Sequence, residues 1–248
     1  MKKNSAALVM INLLVATSSV FSADNNDETK SPWTSSIELG FIRTTGNTET
    51  QTTAAKANVV YEVDKWRHTG HAESYGSQAK NQTTGETETS AERYDMSGKS
   101  DYKITERDYT YGIVKLQKDR FSGFEYNHVV SLGYGRKAIK QENMELDLEI
   151  GPGQKFFKVD GGENETEAIL RLAANYWWKI TDSSKFSQSL TSDIGETFTT
   201  NVSITGVQAN INKTLALKFT YTIRNKSEVP EGSKNTDTEA GMTLVYTF

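Results

Sequence analysis

The clearest pattern in this chain is an alternation of apolar and polar residues that returns in short segments. In the segment 144–150, the even positions are Met, Leu, Leu and Ile, and the odd positions are Glu145, Asp147 and Glu149. Neighbouring side chains of a β-strand point to opposite faces, so such a segment has one apolar face and one polar face. About twelve segments of roughly 9–13 residues follow this pattern between Trp33 and Phe248, a length that crosses a tilted bilayer. The alternation predicts an all-β fold, an up-and-down antiparallel transmembrane β-barrel of about 12 strands.

The connections between these segments also alternate in length. Those after even-numbered segments are short, whereas three of the others are long: residues 77–90, a loop from Gly151 to about Thr166, and a loop around Glu231. Outer-membrane barrels have short periplasmic turns and longer outer loops, with both termini inside. We also expect a tight turn at 45–47 and a β-bulge near Gly206, where the apolar positions change parity.

The last segment ends on an aromatic residue. Met242, Leu244, Tyr246 and Phe248 share one face. A large apolar side chain in water costs free energy, but the closing strand of a membrane barrel places it at the bilayer interface. The segment resembles the C-terminal assembly signal of bacterial outer-membrane barrels. We therefore expect the barrel-assembly machinery to recognise these four residues.

Aromatic residues near the strand ends agree with a membrane barrel, because aromatic girdles lie at both membrane interfaces. A soluble barrel or sandwich core would accept the same residues. The aromatic residues in question are Trp33, Tyr61, Trp66, Tyr102, Tyr176, Trp178, Tyr246 and Phe248.

Composition excludes a helical membrane bundle. Charged residues make up 24% of the chain and the mean hydropathy is −0.60, whereas each helix of such a bundle needs about 20 apolar residues. A barrel is not excluded, because only alternate residues of its strands touch lipid. The chain has no Cys, so disulfides and thiolate metal sites are impossible.

The N-terminus predicts export. Lys2 and Lys3 precede an apolar run at 6–16, and small residues follow up to Ser22 and Ala23. This is the pattern of a secretory signal peptide, residues 1–22, with cleavage after Ser22 or Ala23. Residues 23–32 are then a polar lead-in, and residues 33–248 form the barrel.

The mature chain is mildly acidic. Removing Lys2 and Lys3 from the 28 basic residues, against 32 acidic ones, changes the formal charge from −4 to about −6. A nucleic-acid partner is therefore not expected, since such proteins carry basic patches.

With the strands placed, the chain resembles the bacterial YdiY-like family, described as salt-induced outer membrane proteins with a domain of unknown function. The matching stretches are 33–46, 119–126, 133–136, 151–153 and 237–248, which together extend over essentially the whole mature chain. The resemblance implies an outer-membrane location in a Gram-negative bacterium and a link to salt or envelope stress. It implies no catalytic residue, because the family has no established activity.

Charged residues of both signs lie on the polar faces of the predicted strands, and we expect them to line the lumen. The candidate lumen-charge residues are Lys56, Glu62, Arg67, Glu73, Arg93, Asp95, Lys99, Asp101, Glu145, Asp147, Glu149, Arg171, Lys179, Lys218 and Arg224.

Glu145, Asp147 and Glu149 allow two interpretations. Successive carboxylates on one strand face are about 6.6–7 Å apart, and they could form a cation-attracting stripe or a calcium site. Alternatively, Arg171 and Lys179 pair with them across the hairpin, because charges inside a narrow barrel must be paired. We favour pairing, which predicts a narrow or partly plugged lumen without strong ion selectivity.

Catalytic and metal motifs are weak. His68 and His71 are three residues apart, so on a strand they point to opposite faces and a shared metal ion is not expected. The chain has no Gly-x-Ser-x-Gly motif, and no nucleophile motif surrounds His68 or His128. We expect no enzyme activity, no cofactor and no metal.

Three hypotheses for the function follow. The first is a small monomeric outer-membrane barrel, surrounded by outer-membrane lipid, that acts as a passive pore or an envelope-maintenance component. The second is a membrane-embedded hydrolase of lipids, which would need a Ser beside a His and an orienting group. The third is a soluble periplasmic β-barrel that binds a ligand.

Overall fold

The computed structural model describes residues 31–44, 50–81 and 84–248. The predicted signal peptide at 1–22, the lead-in as far as residue 30 and the tight turn at 45–47 lie outside the described residues. Residues 31 and 32 immediately precede the first strand.

The described chain forms strands joined by turns and loops. Each strand pairs antiparallel with its sequence neighbours and β1 pairs with β12, which closes the sheet into a barrel. No helix in the described ranges is long and apolar enough to span a bilayer. The prediction of an up-and-down barrel of about 12 strands is confirmed. The strands are β1 Trp33–Thr44, β2 Thr50–Val63, β3 Trp66–Lys80, β4 Thr87–Lys103, β5 Asp108–Asp119, β6 Phe124–Lys140, β7 Met144–Val159, β8 Asn164–Thr181, β9 Ser184–Gly195, β10 Thr200–Asn210, β11 Leu215–Lys226 and β12 Thr236–Thr247.

The outer wall is apolar and the interior is charged. Leu132 on the outer wall is 66% exposed and Phe219 is 49% exposed, whereas Asp101 and Arg171 inside are 1% and 4% exposed. A water-soluble barrel has the opposite arrangement, because exposed apolar surface costs free energy in water. The fold is that of a transmembrane barrel, whose outer face meets hydrocarbon. This distribution is inconsistent with the soluble ligand binder of the third hypothesis.

The barrel has two different ends. The turn end carries Trp33, Phe248 and the connections 64–65, 104–107, 141–143, 182–183 and 211–214. The loop end carries 120–123, 160–163, 196–199 and 227–235 among the connections that are described in full.

Aromatic residues ring the outer wall at the turn end. The ring centroids of Trp33 and Tyr61 are 4.5 Å apart, and those of Trp66 and Tyr102 are 5.0 Å apart. Amphipathic rings at this level suit a membrane interface. The same end of the outer wall carries Tyr176, Trp178, Tyr246 and Phe248.

Two of the expected long loops are shorter than predicted. β3 continues to Lys80 and β4 begins at Thr87, so most of the expected loop 77–90 belongs to strands. β7 continues to Val159 and β8 begins at Asn164, so the expected loop from Gly151 to about Thr166 shrinks to 160–163. The difference between the two ends therefore lies largely in strands that continue past the outer apolar band.

Pro152 lies inside β7, where its lack of an N–H would normally exclude it from a paired strand. The ladder between β6 and β7 is interrupted beside Pro152, whereas the ladder to β8 is continuous. Glycines accommodate this irregularity: a Cβ on Gly133 would lie 2.3 Å from the Ile150 carbonyl oxygen, and one on Gly151 would lie 2.2 Å from the Leu132 carbonyl oxygen. The two backbones approach too closely for any other residue, and the strand continues.

The expected bulge near Gly206 is wrong. β10 pairs with β9 and β11 without a register shift. Ile204 instead faces the lumen, while Ser203 and Thr205 face outward. Gln188 on the outer face of β9 hydrogen-bonds both, at 3.0 Å to the Ser203 hydroxyl and 2.7 Å from the Thr205 hydroxyl. These outward polar groups satisfy one another.

The seam between β1 and β12 is the shortest ladder among the described strands. It consists of four residue pairs, 36–39 with 244–247, extended by two backbone hydrogen bonds between Ser35 and Phe248. β1 pairs with β2 up to Thr44, and β12 pairs with β11 down to Asn225 opposite Thr236. Both strands therefore continue toward the loop end without pairing with each other.

Candidate functional site: the charged lumen

The structure places most of the predicted lumen charges on the inner wall. Glu62, Glu145 and Lys179 lie at the turn-end rim, where Glu62 pairs with Lys103 at 2.5 Å. The inner-wall residues are Lys56, Arg67, Glu73, Arg93, Asp95, Lys99, Asp101, Asp147, Glu149, Arg171, Lys218 and Arg224.

One buried ion-pair group is centred on Arg93. Its guanidinium donates to Glu73 at 2.7 Å, to Asp95 at 2.9 Å, and to Glu239 on β12. Lys56 lies 3.3 Å from the second oxygen of Glu73. Three acids around one fork-shaped donor make a rigid arrangement, because charge-assisted hydrogen bonds are strong and directional.

A second group, the Arg67 cluster, lies nearer the turn end. Arg67 donates to Asp101 at 2.7 Å and lies 3.7 Å from Asp147. Lys99 lies 3.1 Å from Asp101 and also pairs with Glu149. These five residues come from β3, β4 and β7, so the cluster connects strands that are not neighbours in the sheet across the lumen.

The expected pairing of the three β7 acids by β8 is wrong. The register places Glu149 opposite Ala173 and Glu145 opposite Trp177, so neither carboxylate faces a β8 cation. Glu145 instead pairs with Lys137 on β6 at 2.7 Å. The acids are paired, but by other strands.

Arg171 and Lys179 have other partners as well. Arg171 donates to Asp193 on β9 at 2.6 Å. Lys179 pairs with Asp182 in the following turn at 2.6 Å. The hydrogen bond from Lys179 lowers the pKa of the Asp182 carboxyl below its ordinary value.

Several lumen residues were not predicted from the sequence. Tyr109 and Tyr111 on β5 are buried inside, and the Tyr109 hydroxyl donates to Glu149 at 2.8 Å. The apolar residues Val114 and Leu116 lie at positions of the opposite parity and form the outer face, so the sequence did contain a signal that Tyr109 and Tyr111 face inward. Because Tyr has an apolar ring and a polar tip, its parity did not indicate a face.

The loop end contains a small apolar core, the aromatic cluster of Phe124, Phe157 and Phe198. Lys155 lies against it, fully buried, with Nζ 3.6 Å from the Phe198 ring centroid and 2.7 Å from the Phe198 carbonyl oxygen. Its ammonium also donates to Glu167 at 2.8 Å. The cluster closes part of the loop-end mouth.

Two cavities lie along the lumen. The central cavity has a volume of about 420 Å³, and the turn-end vestibule has a volume of about 270 Å³. Lys99 and Glu149 of the Arg67 cluster line the central cavity, while Arg67 and Asp101 line the vestibule. The cluster therefore separates the two spaces.

A Ser–His pair lies on the outer wall. His68 Nδ1 and the Ser100 hydroxyl are 2.8 Å apart, and the His68 ring lies parallel to Trp66. Within the described residues, no acid or amide hydrogen-bonds the second ring nitrogen, which a triad requires. His128 accepts the backbone N–H of Gln117 at 3.3 Å. No group of three or more His, Asp or Glu side chains in the described ranges is arranged to hold a metal ion.

The closed sheet, the apolar outer wall and the charged lumen define a transmembrane β-barrel. Residues 37–248 match the model of the family described as "Protein of unknown function, DUF481". The chain belongs to this family. The uncharacterized protein YdiY of Escherichia coli (strain K12) is 28% identical over 235 residues, which cover 94% of this chain and 90% of that protein. The predicted YdiY-like family is confirmed.

Two solved structures show the same fold. The NanC porin is 11% identical with a TM-score of 0.52, and the alignment covers 86% of this chain and 98% of that one. An outer membrane channel from Pseudomonas putida F1 is 8% identical with a TM-score of 0.50, covering 91% of this chain and all of that one (100%). At these identities the likeness concerns the fold alone.

Proposed function

We propose that the protein is a narrow, non-enzymatic channel in the outer membrane of a Gram-negative bacterium. The observation that carries this proposal is the lumen, which holds two cavities with side chains of the Arg67 cluster between them. The fold of a porin and of an outer membrane channel supports it. The turn end then faces the periplasm, as in other barrels of this class.

Export with a cleaved signal peptide belongs to the same proposal. Mass spectrometry of the protein from outer-membrane fractions should give a mature chain that begins after Ser22 or Ala23. The link to salt stress stays a prediction, which transcript levels at raised salt would test.

The lumen determines what such a channel passes. A solute that leaves the central cavity must displace ion pairs such as Arg67–Asp101, so the current through the resting channel is small. At the Arg67 cluster, cations and anions both find partners, because charges of both signs meet there. Weak ion selectivity follows.

Planar-bilayer recordings of refolded protein test the proposal. The double variant Arg67→Ser/Asp101→Ser removes one cation and one anion, so the net charge of the cluster is unchanged. We expect its single-channel conductance to exceed that of the wild type severalfold. Arg120→Ser/Glu92→Ser is the matched control, since that pair lies outside at the loop end, and it should leave the conductance unchanged. Absence of current from all three proteins would refute the channel.

A further inference from the structure

The central cavity has unequal numbers of free donors and free acceptors. Its carboxylates are already engaged: Asp95 accepts from Arg93 at 2.9 Å and from Gln117 at 2.8 Å, and Glu149 accepts from Lys99 and Tyr109. Glu73 and Asp193, the other acids that line it, are paired with Arg93 and Arg171. A solute therefore finds few available anionic acceptors.

Two basic groups that line the same cavity, Arg224 and Lys115, have few close hydrogen-bond acceptors. Arg224 comes no closer than 3.7 Å to Glu239 and 3.9 Å to Glu73, beyond hydrogen-bond distance, and its buried Nε has no partner. Lys115 reaches one carboxylate, Asp193, at 3.5 Å. A guanidinium held in a cavity without a close acceptor is a ready site for a carboxylate.

Other unpartnered polar atoms line the same cavity. Arg171 is 4% exposed and its Nε has no hydrogen-bond partner, and Asn127 is 7% exposed with an unpaired Oδ1. The Thr200 hydroxyl is also buried and unpaired. Buried polar groups rarely stay unsatisfied, so water or a solute fills such a space.

We propose that the central cavity binds a small hydroxylated carboxylate. Its carboxylate group would lie between Arg224, Lys115 and Arg171, and its hydroxyls would bond Asn127 and Thr200. A volume of about 420 Å³ accommodates a six-carbon acid with some water, since one water occupies about 30 Å³ of liquid. This site names the solute class of the channel and so rests on the proposed function.

Isothermal titration of the folded barrel in neutral detergent at low ionic strength tests the site. Three probes share a six-carbon polyol skeleton: gluconate is an anion, sorbitol is neutral and glucamine is a cation. We expect gluconate to bind at least about tenfold more tightly than the other two, because only gluconate engages the free cations. Equal binding of the three probes, or no binding of gluconate, would overturn the proposal.

Variants locate the binding. Arg224→Gln should weaken gluconate binding about tenfold or more, the usual effect of losing a charged partner. Lys185→Gln is the matched control: Lys185 also faces inward but lies nearer the turn end, over the Trp177 ring. It should change the affinity less than twofold. Equal effects of the two variants would sink the assignment.

Folding and conduction are checked separately. Heat-modifiable migration on a gel reports folding, and Arg224→Lys serves if Arg224→Gln does not fold, with weakened binding again expected because the bidentate fork is lost. A barrel that conducts but does not bind gluconate refutes this site and leaves the channel standing. A barrel that binds gluconate without passing current refutes the channel and leaves the site.

Discussion

Lys155 is a cation held entirely away from solvent at the loop end of the lumen. Its Nζ is satisfied by Glu167, by the Phe198 carbonyl oxygen and by the face of the Phe198 ring. Removing one partner of a buried pair leaves the other charge without compensation, which costs more than the pair itself contributes. Loss of Lys155 would therefore destabilise the protein chiefly by leaving the Glu167 carboxylate without its cation.

We expect Lys155→Met to lower the free energy of unfolding by about 3 kcal/mol. Urea-induced unfolding of the barrel in lipid vesicles, followed by tryptophan fluorescence, measures it. Adding Glu167→Gln should recover part of the loss, because the unpaired carboxylate is then removed.

The control for this prediction is Lys158→Met on the same strand. Lys158 pairs with the exposed Glu125 at 2.9 Å, and exposed pairs contribute about 0–1 kcal/mol. If both substitutions lower the free energy of unfolding by the same amount, burial of Lys155 is not what stabilises the loop end.

At this scale the sequence predicts the direction of a side chain better than its partner. Parity placed Glu149 and Arg171 inside, because alternation along a strand is local. Their partners Lys99 and Asp193 come from other strands, and barrel circumference and register decide which of these meet. Nothing local to β7 or β8 contains that information.

Among the elements, the β1–β12 seam is the weakest join of the described sheet. Four paired positions hold it, whereas β1 pairs with β2 along its whole length. Opening of the barrel wall should therefore start at this seam, since local opening follows the least bonded regions.

A disulfide across the seam tests this. The chain has no Cys, so Ser36→Cys/Thr247→Cys introduces one bridge between directly opposite residues. We expect it to slow unfolding in guanidinium at least severalfold, and reductant should abolish the effect. The rate is the proper measure, because a bridge also changes the unfolded chain.

Ser189→Cys/Ile204→Cys is the comparison bridge. It joins opposite residues in the middle of the longer β9–β10 ladder. Its effect on the unfolding rate should be smaller. Equal slowing by the two bridges would mean that unfolding does not begin at the seam.

Strand ends were the least predictable elements. A Pro flanked by two Gly is the ordinary sign of a loop, and only the close approach of β6 and β7 at Gly133 and Gly151 shows why β7 continues. The β10 bulge failed for a related reason. Val202 and Ile204 face a lumen that tolerates apolar groups, so apolarity did not mark the outer face there.

The barrel wall separates the hydrocarbon of the membrane from the lumen. Two adjacent residues, Trp178 and Trp177, lie on the two sides of this wall. Trp178 is on the outer wall, where it is 38% exposed, whereas Trp177 points inward beneath Lys185. Variants that retain one tryptophan each distinguish hydrocarbon from lumen without changing the rest of the wall.

In vesicles of brominated phospholipid, we expect strong fluorescence quenching of the Trp178-only protein and little quenching of the Trp177-only protein. Bromine quenches on contact, and acyl chains reach only the outer wall. Similar quenching of both would contradict the orientation of β8. The other two tryptophans, Trp33 and Trp66, are replaced by Phe in both proteins.

At the scale of the molecule, period-two alternation and the spacing of turns were sufficient for the fold class and the strand number. Closure could not be read from any segment, because the pairing of β1 with β12 joins the two ends of the sheet. The cavities depend on which side chains meet across the lumen, and they became visible only in three dimensions.

The strands differ in height around the barrel. β8 has 18 residues and β10 has 11, which at about 3.3 Å per residue and a tilt near 45° gives a difference of about 16 Å along the membrane normal. On a bacterial surface, the side formed by β7 and β8 would project into the carbohydrate layer while the side formed by β9 to β12 stayed level with the headgroups. Antibodies, bacteriophages and external proteases would meet that crest first, and residues 160–163 at its tip are where related chains should diverge most.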